Sequence, residues 1–240
     1  RAPLLKIVRG ILSSRFAPLD DSVLFSALRP ALEQLNISCE EFIQSDEITI
    51  LKFKFTNLHN SDTLNGQNVD QIYAGLSIRN SEVGYSALYI EPCIMLGDLA
   101  IVNPSSPEVA SLVRNLHTRS GIAAMLLQTP ISDYIPKIME LGQLGILQAL
   151  EAHTQVVTNP HATVEKLAED SGFLSRRFVS IVMEDIEHDL EVSRLRLAQA
   201  ILTCCRNLPI VSRYEAQAEV GKWLGLFNQH GRFEAIAQSI

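Results

Sequence analysis

The residue types best suited to chemistry stand together at Arg79-Asn80-Ser81-Glu82, where a guanidinium, an amide, a hydroxyl and a carboxylate are closed off by Gly84. Apolar positions flank them. Leu76 and Ile78 before, and Tyr85, Ala87 and Tyr89 after, alternate with small or polar neighbours. That alternation marks half-buried strands, so the four polar groups are expected at a tip between two strands. Two readings fit. Asn, Ser and Gly are ordinary turn residues, and loops held by rigid strands carry function. A second set of groups suits phosphate. Lys52 and Lys54 are expected to stand outward from a strand over residues 48–55 whose Leu51, Phe53 and Phe55 face the core. Outward lysines either protect a sheet edge or form a rail for phosphates. Lys6, Arg9, Arg15 and Arg79 add cations to the N-terminal half, and residues 1–60 hold seven basic and seven acidic residues in a chain of net charge −7. That balance argues against nucleic-acid binding by the surface as a whole and leaves room for a local basic patch.

Other chemistries find less material. The six histidines are scattered, with no His-x-x-x-His pair and no Cys/His quartet at ligand spacing. Cys39, Cys93, Cys204 and Cys205 form no Cys-x-x-Cys pair, so reduced, mostly buried thiols in a cytoplasmic protein are expected. There is no Gly-x-Ser-x-Gly elbow, Gly-rich phosphate loop or dinucleotide fingerprint. The carboxylate pairs Asp20-Asp21 and Glu40-Glu41 sit where capping or solvation explains them. Thr163 to Gly172, followed by Leu174-Ser175-Arg176-Arg177-Phe178, resembles a helix-turn-helix with one residue too many in its turn. Its second helix runs into Glu184, Asp185, Glu187 and Asp189, where DNA phosphates would lie. Arg194, Arg196, Arg206 and Arg213 read as a solvated face.

The elements that must position these groups follow from periodicity. Asp20-Asp21-Ser22 is an N-cap cluster before a helix whose stripe is Val23, Leu24, Ala27, Leu28, Ala31, Leu32 and Leu35. Pro30 is expected to kink or divide it near Leu28. Strands are expected at 10–16 and 38–43, then 48–55 paired with 71–79 across a polar loop at 57–69 that carries the Asn65-Gly66 turn signal. The 75–92 unit supplies the third and fourth antiparallel strands. Asn103-Pro104-Ser105-Ser106-Pro107 is the clearest break, and Val109, Leu112, Val113 and Leu116 then make a helical stripe. Helices are expected at about 120–128, 131–154, 161–170, 174–190, 190–206 and 213–229, the second weakened by Gly142 and Gly145. The fold class is α+β, a small antiparallel sheet with a packed helix in residues 1–102 and a mostly helical region in 103–240, continuous or separate. Hydrophobic residues at 47% and charged residues at 20% suit a packed soluble protein. No apolar run is long enough to span a membrane. Arg1-Ala2-Pro3 lacks a signal-peptide pattern, and without an initiator Met a longer natural chain is expected.

Asn80-Ser81-Glu82-Val83-Gly84-Tyr85-Ser86-Ala87 resembles the signature of a family known only as phage- or plasmid-like proteins, domain of unknown function 932, and Arg9-Gly10-Ile11-Leu12-Ser13-Ser14-Arg15-Phe16-Ala17-Pro18-Leu19-Asp20 is similar to that family's N-terminal motif. The family follows its second motif with a cysteine and Asn-Gly, whereas here Cys93 is followed by Ile94-Met95-Leu96-Gly97-Asp98. The family name carries no activity. The layout of strand, helix, antiparallel strands and helices is similar to the core of single-strand annealing proteins. It implies a groove in which Arg9, Arg15, Lys52, Lys54 and Arg79 hold a single strand of DNA by its phosphates, Asn80 and Ser81 hydrogen-bond to it, and Tyr85 or Tyr89 stacks on its bases. An aromatic content of 6% weighs against that reading. The alternative is a protein-interaction module or homo-oligomeric scaffold without catalysis, with apolar stripes at Leu141–Leu150 and Leu195–Leu202 as surfaces or as core. A nuclease or other hydrolase is the third expectation. No cofactor and no metal site is expected from the sequence, and metal-dependent cleavage is the test of the third reading.

Overall fold

The computed structural model describes residues 16–60, 71–110, 112–115, 133–171 and 176–228. The fold is α+β: an antiparallel sheet with a packed helix in the N-terminal half and a mostly helical C-terminal half. The expected strand at 10–16 and helix at 120–128 lie wholly or almost wholly outside the described residues.

Strands β1 (Ile37–Gln44), β2 (Thr49–His59), β3 (Ile72–Asn80), β4 (Leu88–Leu96) and β5 (Leu99–Val102) lie side by side in chain order, each antiparallel to the next, and β6 (Val113–Asn115) also pairs with β4. The hairpin of β2 with β3 is the one expected, with Lys52 opposite Ser77. The final two strands were not expected. Gly97, at φ +60°, and Asp98 make a two-residue turn between the apolar runs Ile94-Met95-Leu96 and Leu99-Ala100-Ile101-Val102, a spacing that favours a hairpin. Pro92 therefore does not end β4. β5 pairs with residues 93–96 of β4 and β6 with residues 88–90. Between them, at Glu91 and Pro92, the outer edge of β4 has no strand partner among the described residues. A residue without an N–H disturbs a ladder least at such a place. The helical stripe expected after Pro107 is confined to the short α2 (Pro107–Ala110), because the chain turns directly into β6.

Alternation gives the sheet two dissimilar faces. One face presents Leu51, Phe55, Ile72, Ala74, Leu76, Ile78, Ile90 and Ile94, all buried in the main core. Helix α1 (Asp21–Leu32) adds Leu24 and Leu28 to that core. Asp20 caps it, its Oδ1 accepting from the Ser22 N–H at 2.8 Å. Pro30 does not divide α1. It falls in the last turn, so that only Ala31 and Leu32 of the helix follow it, and Val23 is exposed rather than part of the buried stripe. Helix α3 (Ile135–Thr154) crosses the same face. Gly142 and Gly145 lie where it touches the sheet. A Cβ on Gly142 would come within 2.7 Å of the Ala74 Cβ, and one on Gly145 within 2.8 Å of Ile94. The two glycines expected to weaken this helix are thus what allow it to approach.

Beyond α3 come α4 (Pro160–Ser171), α5 (Arg176–Asp185), α6 (Arg194–Cys205) and α7 (Ile210–Leu224). α6 supplies Leu195, Leu197, Ala198, Ile201 and Leu202 to the core, so that apolar stripe is internal. α7 turns back over the other face of the sheet, where Tyr214 packs with Ile48, Ile50, Cys93, Met95, Ala100 and Val102. A Cβ on its Gly221 would stand 2.0 Å from the Val102 carbonyl oxygen. Among the described residues no helix is long and apolar enough to cross a membrane.

Candidate functional site

The face of the sheet beneath α7 carries a row of ionisable groups. Register makes Glu41, Lys52, Ser77 and Glu91 successive partners across β1, β2, β3 and β4, and a β-bulge between Cys39 and Glu41 sets the first of them in line. Lys52 does not stand outward. It is 1% exposed, and its Nζ donates to Glu41 Oε2 at 2.6 Å and to Gln217 Oε1 of α7 at 2.8 Å. The alternation placed Lys52 on the face opposite Leu51 and Phe53 correctly, but α7 covers that face. Arg213 reaches the other oxygen of Glu41 at 3.2 Å. Lys54, at the next position along the same face, is half-buried and paired with Glu40 at 2.9 Å.

Glu91 is also 1% exposed. The Tyr214 hydroxyl donates to its Oε1 at 2.5 Å, while its Oε2, the Ser77 Oγ and the Arg79 Nε have no hydrogen-bond partner among the described residues. Burial therefore dominates and pushes the Glu91 carboxyl above its usual range, against the opposing pull of the Tyr214 hydrogen bond and of the Arg79 and Lys52 charges. Burial, reinforced by the Glu91 carboxylate, raises the Tyr214 phenol as well. Arg79 lies between two rings, its guanidinium carbon 4.1 Å from the Tyr89 centroid and 3.9 Å from that of Tyr214. Cys93 lies along the same face, its thiol pushed up to about 12 by burial. A lysine, an arginine, a tyrosine and a carboxyl of raised proton affinity are the parts of a proton-transfer site. In this protein they hold one another, and they hold α7 to the sheet.

The expected tip has a different job. Asn80 and Ser81 are each 1% exposed. Asn80 Nδ2 donates to the Leu19 carbonyl at 3.0 Å and to Asp21 Oδ1 at 2.7 Å. Ser81 Oγ donates to the Glu47 carbonyl at 2.6 Å and accepts from the Tyr85 N–H at 2.9 Å. Glu82 Oε1 accepts from the Asp21 N–H at 3.0 Å. Asp21 is itself buried, with Thr49 Oγ1 at 2.6 Å from its Oδ2. The two motifs picked out in the sequence therefore meet in space, and their meeting point anchors the start of α1 to the ends of β2 and β3. Tyr85 and Ala87 precede β4 rather than forming part of it, and Tyr85 is exposed.

Of the nine residues expected to hold a single strand, Arg9 and Arg15 lie outside the described residues. Lys52, Lys54, Arg79 and Tyr89 share one face of the sheet, whereas Asn80, Ser81 and Tyr85 belong to the junction at its end. Sequence reasoning missed Glu41, Glu91, Tyr214 and Gln217. Alternation with Tyr89 was the signal for Glu91, and the 3/4 spacing of Tyr214, Gln217, Gly221 and Leu224 was the signal for the docking face of α7. The later arginines differ in their surroundings: Arg206 is exposed and pairs with Asp98, as a solvated face would have it, whereas Arg196 bridges Asp185 and Asp189 and Arg194 is half-buried against Trp223. Among the described residues no group of three or more His, Cys, Asp or Glu is placed to hold a metal ion. Comparison with protein-family models, with curated proteins and with solved structures finds no match.

Proposed function

We propose that this chain is a protein-interaction or scaffold module. The observation that carries the reading is the fate of the sheet's cations. Lys52 serves Glu41 and Gln217, Lys54 serves Glu40, and Arg79 is enclosed by two tyrosine rings. Groups committed in this way neutralise the protein's own carboxylates and are not presented to phosphates. Apolar side chains stand on the outside instead. Phe42 is 58% exposed on β1 and Leu147 51% exposed on α3, side chains of the kind that a protein partner covers.

A second reading keeps the single strand. Lys54 Nζ lies 4.8 Å from the centre of the Tyr73 ring, and His59 stacks on that ring at 5.2 Å with a tilt of 39°. A cation beside paired aromatic rings is a platform on which bases stack. Arg9 and Arg15 belong to this reading.

Fluorescence anisotropy with a labelled single strand, run beside a duplex control, separates the two readings. The interaction module shows no preference for the single strand at low salt, where electrostatic attraction is strongest. Salt-sensitive binding that favours the single strand and weakens in Tyr73→Ala would replace the first reading with the second.

A further inference from the structure

A pocket of about 530 Å³ opens between α4 and α7, away from the buried row. Its volume lies in the range of small-molecule sites. Three kinds of group line it. Trp223, the one tryptophan of the chain, provides an aromatic wall. Lys166 from α4 and Lys222 from α7 bring ammonium groups from two directions, and Asp170 and Glu219 bring carboxylates from the same two helices. The wall is fixed in place. The Arg194 guanidinium sits 5.0 Å from the centre of the indole, donates to the backbone carbonyl of Trp223, and donates to Gln155 Oε1 at 2.7 Å. Lys222 is paired with Glu219 at 3.3 Å on an exposed surface, an interaction weak enough to exchange for a better one.

We infer that this pocket binds a nucleoside monophosphate whose base carries an amino group. Each part of such a ligand answers one part of the lining. The base stacks on an indole whose geometry is already set, so little ordering is required on binding. The phosphate offers several acceptor oxygens to two lysines on different helices. The amino group of the base supplies N–H donors to the carboxylates of Asp170 and Glu219. Those same carboxylates oppose additional negative charge, so a triphosphate gains nothing over a monophosphate.

Because Trp223 is the sole tryptophan, its emission reports on this pocket alone. The full chain is titrated with adenosine 5′-monophosphate, with adenosine, ribose 5-phosphate and adenosine triphosphate as separate arms. A saturable change in emission with the monophosphate is expected, and Lys166→Ala or Lys222→Ala weakens it about tenfold by removing a charge-assisted contact. Both lysines are exposed, so the variants keep the wild-type melting temperature. Adenosine and ribose 5-phosphate each bind more weakly, and the triphosphate no more tightly. No saturable change would overturn the inference, as would wild-type affinity in both lysine variants or equal binding of ribose 5-phosphate and the monophosphate.

Discussion

Glu91 shows how far the chemistry of one residue is set by what covers it. An exposed glutamate beside Lys52 and Arg79 would be held in its charged form. Sealed under α7 with a single hydrogen-bond donor on one oxygen, it has its proton affinity raised above the ordinary value of 4.5. The sign of the linkage follows. Above that ordinary value the unfolded chain releases a proton that the folded chain still holds, so stability falls as pH rises through the window between the unfolded and folded values. Glu91→Gln keeps an acceptor for Tyr214 and has no charge to bury. Its stability relative to the wild type should therefore grow as pH rises above the ordinary carboxyl value of 4.5 in urea unfolding. A difference that stays constant across that range would mean that Glu91 ionises in the folded protein as it does in the unfolded chain. Glutamate at position 52, the direct test of a phosphate rail, would place a third carboxylate between Glu41 and Glu91 and would report on folding instead of binding.

At the scale of elements, the seating of α7 decides what becomes of the sheet's polar face. That helix lies close because Gly221 has no side chain at the point where it meets the backbone of β5, and a methyl group there would stand 2.0 Å from the Val102 carbonyl oxygen. A carbonyl in a paired strand cannot retreat, so the helix must lift. Gly221→Ala is expected to destabilise the protein by about 1–3 kcal/mol, as overpacking does elsewhere, and to expose Tyr214 and Lys52 to solvent. Urea unfolding with tyrosine absorbance as a second readout checks both consequences, and wild-type stability in this variant would show that α7 does not rest on β5. The junction at the other end of the sheet works by hydrogen bonds. Asn80, Ser81 and Glu82 read as a turn or as a recognition edge from their types alone, and the deciding fact is that Leu19 and Asp21 arrive beside them from 59 or more residues away.

Across the whole molecule, one main core draws on both halves of the chain. Leu76 and Ile90 from the sheet share it with Leu141 of α3, Ile201 of α6 and Val220 of α7. β6, from beyond the break at Asn103 to Pro107, completes the edge of the sheet. The boundary expected at 102/103 is therefore spanned by contacts of both kinds. Denaturation is expected as a single transition, with tryptophan emission from the helical half coinciding with tyrosine absorbance, to which Tyr73, Tyr85 and Tyr89 of the N-terminal half contribute. Two separated midpoints would mean that the halves fold independently.

The sequence determined the parts of this protein that depend on near neighbours. Alternation fixed the faces of β2 and β3, capping fixed the start of α1, and 3/4 spacing located α3, α6 and most of α7, because the steric and hydrogen-bonding rules involved act within a few residues. Tertiary structure alone decided which sheet face would be covered and by what. Lys52 and Glu91 carry no local sign of burial, since their partners Gln217 and Tyr214 lie 165 and 123 residues away. Whether a charged side chain meets water or a neutralising group depends on the packing of α7 on the sheet, and that packing is settled by the fold as a whole.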